Sequence, residues 1–82
     1  MPTVLRRASF RVVIFLPPRE HAPPHVHVRN TDGETVIELA GDGRQQRVRS
    51  VGGMRTPDVV RAFRIVEAHT PLLIAEWRKY HG

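Results

Sequence analysis

With 82 residues and no cysteine, the chain reads as one small domain, residues 1–82, in which disulfides and thiolate metal sites are both excluded. Its formal charge of +5 comes from twelve arginines and one lysine against eight acids, a balance suited to phosphate or an acidic partner. No run approaches the roughly 20 apolar residues of a membrane span, and the opening Met-Pro-Thr-Val-Leu-Arg-Arg lacks a signal peptide's apolar region, so a cytoplasmic protein without membrane contact is expected.

Phe10 to Leu16 is β-branched and aromatic, too short for a helix, and closed by Pro17-Pro18; it predicts a buried strand. His25 to Asn30 alternates and follows a second proline pair, which predicts another. Asn30-Thr31-Asp32-Gly33 is a turn, and Glu34 to Ala40 returns as the partner strand of a hairpin. Gly41-Asp42-Gly43 makes a further turn into Arg44 to Val51, a polar strand suited to a sheet edge, where arginines discourage aggregation. Gly52-Gly53 ends the sheet region.

Thr56-Pro57-Asp58 opens a helix, with threonine as N-cap, proline in the first position and an acid in the first turn. Val59, Ala62, Phe63 and Val66 supply its apolar stripe. Thr70-Pro71 breaks that helix near His69 and starts a second, with Leu73, Ile74, Trp77 and Tyr80 as the buried side. The fold class is therefore α+β: an antiparallel sheet of three to four strands, followed by two C-terminal helices packed on one face.

The chemistry concentrates in Glu20-His21-Ala22-Pro23-Pro24-His25-Val26-His27, which holds three of the five histidines. On a strand, His25 and His27 share a face, about 6.6 Å apart at Cα, and Arg29 continues it. Three uses stay open. His21, His25 and His27 can ligate a divalent metal such as zinc, with Glu20 or water completing the shell. His25 and His27 can act as general base and acid on a phosphodiester, with an arginine holding the phosphate. Or the imidazoles hydrogen-bond loop carbonyls and fix a turn. His69 and His81, isolated near helix ends, read as capping residues.

Between residues 41 and 64 six arginines face two aspartates, a local net of +4. Arg44, Arg47, Arg49 and Arg55, with Arg29, are the candidates for an electrostatic, sequence-tolerant contact with RNA or DNA. The few aromatics fall at expected core positions, which leaves no stacking platform for bases.

The Met-Pro-Thr opening, the apolar strand, the acid-His-x-Pro-Pro-His-x-His motif, the hairpin and the terminal helix pair together resemble a family of small bacterial proteins known as the domain of unknown function DUF4160. The resemblance covers nearly the whole chain and is most specific at Glu20, His21, Pro23, Pro24, His25 and His27. It implies a compact cytoplasmic domain encoded beside another small protein, in a two-gene regulatory or toxin–antitoxin-like module. The leading expectation is thus an interaction module that binds a small protein partner, or a second copy of itself, and also nucleic acid through the basic surface. The other is a small ribonuclease-like hydrolase working through the histidine cluster.

Overall fold

The computed structural model describes residues 3–17 and 21–82. The strands are β1 (Thr3–Arg7), β2 (Phe10–Val13), β3 (His25–Arg29), β4 (Glu34–Glu38) and β5 (Arg47–Gly52), followed by the helices α1 (Thr56–Ala68) and α2 (Thr70–His81). They form one antiparallel sheet in the order β1-β2-β3-β4-β5, so each strand pairs with its neighbours in sequence. The α+β layout agrees with expectation; the sheet has five strands instead of three to four. The additional strand is β1, which turns into β2 through Ala8-Ser9, with Arg7 opposite Phe10. Ala8 takes φ 51° there, a left-handed conformation that sequence patterns associate with glycine or asparagine.

The other two hairpins follow their turn chemistry. Asn30 accepts hydrogen bonds at Oδ1 from the backbone N–H groups of Asp32 and Gly33, each at 3.0 Å, the local side-chain turn that favours asparagine here. Between β4 and β5, Asp42 and Gly43 have φ of 48° and 79°, and Gly41 and Arg44 exchange backbone hydrogen bonds of 3.1 and 2.8 Å. Two left-handed central residues make the primed turn that matches sheet twist. The strands around it are shorter than the predicted Glu34–Ala40 and Arg44–Val51. Gln46 donates instead from Nε2 to the Phe63 carbonyl of α1, at 2.8 Å.

Both Thr-Pro pairs mark helix starts, with a one-residue correction to the capping. Thr56 and Thr70 are the first helical residues, Arg55 and His69 occupy the cap positions, and neither helix has a side-chain cap bond. The Thr70 hydroxyl donates backwards, to the carbonyls of Val66 and Glu67 at 3.1 and 3.3 Å. His69 closes α1, donating from Nδ1 to the Ile65 carbonyl at 2.8 Å, as expected of a capping residue.

The core lies between one face of the sheet and the helices. Val12, Ile14, Val26, Val28 and Ile37 meet Ala62, Val66, Leu73 and Trp77; each fully buried aliphatic side chain of this kind contributes about 1.5–3 kcal/mol. Val59 and Phe63 of the predicted stripe are only partly buried; α1 buries Ala62 and Val66 instead.

Candidate functional site

β3 carries the histidines, and its register sets their surroundings. On the face opposite Val12, Val26, Val28 and Ile37, residues line up in rows across the sheet. Arg11, Arg29 and Glu34 form one row, Val13, His27, Val36 and Ser50 the next, and His25, Glu38 and Arg47 the third. His25 and His27 therefore do share a strand face, and their ring centroids stand 5.7 Å apart.

Their environments differ. His25 is 1% exposed, and its Nδ1 lies 2.8 Å from the Pro23 carbonyl. A carbonyl only accepts, so Nδ1 carries the proton and donates. The Pro24 carbonyl takes the backbone N–H of Leu39 at 2.9 Å. The proline pair, entered through a cis Ala22–Pro23 peptide, is thus held by the ring of His25 and by the end of β4. On its other side His25 meets the Trp77 indole, with centroids 5.1 Å apart.

Beyond Trp77 comes His81, stacked on the indole at 3.8 Å and 10° from parallel. Its Nε2 donates to the Phe15 carbonyl at 2.8 Å. Phe15 in turn meets His27 edge-to-face, centroids 4.5 Å apart. His81, Trp77, His25, His27 and Phe15 make a continuous chain of rings that joins α2 to β3 and to the segment just after β2. Its position near a helix end predicts only a cap for His81. Only the stacking on a tryptophan one helical turn earlier signals its part here.

His27 is half of a second arrangement. Its side chain is 13% exposed, and Nδ1 lies 3.3 Å from Glu34 Oε2. Glu34 Oε1 accepts a 2.6 Å hydrogen bond from Arg29 Nε, and the Arg29 guanidinium lies 5.2 Å from the centroid of the Phe15 ring. Burial pushes the Glu34 carboxyl up, but the hydrogen bonds and charges of Arg29 and His27 outweigh it and hold the group below the ordinary glutamate range. Glu34 was absent from the sequence-derived candidates. The hairpin register that places it beside Arg29 is the signal that would have found it.

His21 is exposed, in the loop before the proline pair, and Glu20 lies outside the described residues. Among the described residues no three histidine, aspartate or glutamate side chains stand close enough to hold a metal ion. Next to the motif, Pro23, Pro24, Asp42, Arg44, Trp77 and Arg78 help to line a cleft of about 330 Å³.

The family described as Domain of unknown function (DUF4160) matches residues 10–78. The chain belongs to that family. No curated protein and no solved structure matches it. The DUF4160 span runs from the start of β2 to the last turn of α2, so it takes in His21, His25, His27 and Trp77 and leaves β1 and His81 outside.

The five candidate arginines differ in their partners. Arg29 is bound to Glu34, while Arg47 and Arg49 both reach Glu38, at 3.1 and 3.0 Å. The Arg49 hydrogen bond is the main reason the Glu38 carboxyl also sits below its ordinary range, with the charges of Arg47, Arg49 and Arg44 adding to it against some burial. Arg44 lies in the β4–β5 turn and Arg55 at the cap of α1, both exposed.

Proposed function

We propose that this chain is a binding domain: the small cytoplasmic interaction module of a two-gene, toxin–antitoxin-like system, with a small protein as its partner and electrostatic contact with nucleic acid as a secondary property. The carrying observation is where exposed, unmatched chemistry lies. Within the histidine motif, His25 is buried and donates to Pro23, and His27 is engaged with Glu34. Along β5 all six residues are exposed at a sheet edge, among arginines that outnumber the local acids. Co-expression with the product of the adjacent gene tests the reading. A stable complex on size exclusion is expected. A chain that elutes alone, and that binds neither RNA nor DNA at low salt, removes it.

The ribonuclease-like alternative is favoured by one observation, the His27–Glu34–Arg29 group. A carboxylate near Nδ1 orients an imidazole as a general base, and a neighbouring guanidinium suits a phosphate. RNA cleavage lost on His27→Ala and reduced on Glu34→Gln, with the fold intact, would favour this reading over the first. Absence of cleavage in the parent protein ends it.

A further inference from the structure

β5 is amphipathic along an open edge. Its register places Val48 opposite Ile37 and Val51 opposite Thr35, toward the helices, while Arg47 and Arg49 meet Glu38 on the other face. Val48 and Val51 stay 37% and 49% exposed. Between Val48 and α1 runs a groove of about 350 Å³ formed by Val48, Val59, Val60 and Phe63, with Arg64 and Glu67 at its rim. Strand and groove thus continue the core's apolar layer past the last strand, uncovered among the described residues.

We propose that β5 receives an extended segment of a partner protein as a sixth strand, and that this segment alternates apolar with acidic residues. The inference rests on the partner reading above and adds its surface and chemistry. An edge strand offers unpaired N–H and C=O groups that a new strand completes, while alternate side chains give specificity. Apolar residues of the added strand would cover Val48, Val51 and the groove. Acidic residues would face Arg47 and Arg49, which share the single carboxylate of Glu38 and so leave positive charge unmatched. The same charge argues against a second copy. Residues 41–64 carry a net of +4, and pairing β5 with itself would bring two copies of that charge together, which is unfavourable.

The test uses the full chain and a capped octapeptide alternating glutamate and valine, with a lysine–valine peptide as control. Binding is read by NMR shifts and by amide hydrogen exchange. Exchange is expected to slow along Arg47–Gly52, and the acidic peptide to bind at least about tenfold more tightly than the basic one, with the preference shrinking at high salt. Val48→Glu with Val51→Glu, which removes the apolar cover and opposes the acidic strand, should weaken binding by about tenfold or more; if that variant fails to fold, the charge comparison on the parent protein decides. Equal binding of both peptides, no slowing in β5, or slowing that grows with protein concentration alone overturns the proposal, the last result assigning the edge to a second copy. If the adjacent gene's product binds the parent and the glutamate variant equally, the surface is wrong and the partner reading stands. If that product does not bind but the acidic peptide protects β5, the edge stands and the partner assignment falls.

Discussion

The imidazole of His81 lies flat on the indole of Trp77, and the same ring donates a hydrogen bond to the carbonyl of Phe15, 66 residues earlier in the chain. One side chain therefore fastens the last turn of α2 to the segment that follows β2. His81→Ala should cost about 1–3 kcal/mol, from a hydrogen bond and an aromatic contact. His81→Phe keeps the stack and should recover part of that loss. Urea unfolding measures both, and an alanine variant as stable as the parent would remove the fastening role.

His25 and His21 belong to one motif but should respond oppositely. His25→Ala removes the donor to Pro23 and opens a void beside Trp77, a loss of about 2–4 kcal/mol. His21 is exposed, and His21→Ala should stay within about 0.5 kcal/mol. A chelator should leave the melting temperature unchanged; a chelator-dependent drop, or bound metal in untagged protein, would instead make the histidines a metal site.

The turn between β3 and β4 rests against the end of β5. A Cβ on Gly33 would lie 2.0 Å from the Gly52 carbonyl oxygen and 2.8 Å from Gly53 and Met54 backbone atoms. Backbone cannot yield as a side-chain tip does. Gly33→Ala should destabilise by about 1–3 kcal/mol, read as a lower denaturant midpoint, whereas Gly43→Ala meets no neighbouring atoms and loses only its left-handed turn preference.

Glu34 and Glu38 give the fold an acid-side dependence. Both are held below the ordinary glutamate value in the folded state. A depressed carboxyl contributes stability that is fully present above its unfolded pKa, about 4.3, and is lost as pH falls through the lower folded value. Stability should thus decline below about pH 5 more steeply in the parent than in Glu34→Gln or Glu38→Gln. Thermal melts across the acid range check it; parallel curves would mean the ion pairs contribute little.

The α+β order, the two turns built on Asn30 and on Asp42-Gly43, and the helix break at Thr70-Pro71 were legible because local chemistry and final structure agree there. β1 was not. Its turn uses an alanine in a left-handed conformation, which no residue pattern announces, and its arginines carry no alternation of a half-buried strand. Within the site, strand periodicity gave the shared face of His25 and His27. It could not give their burial, which depends on Trp77 and His81 arriving from α2. Nor could it give Glu34, whose place depends on the hairpin register.

The ladder order has a kinetic consequence. Each strand pairs with the next one in the chain, so every ladder of the sheet is local in sequence, the kind of contact that forms early and quickly. The stacked rings are different: Phe15 and His25 must wait for α2, dozens of residues later. Trp77 is the only tryptophan, and it sits in that late junction. Its fluorescence therefore watches a single event, the docking of α2, while circular dichroism follows backbone formation, and in refolding the emission change should not precede the dichroic one.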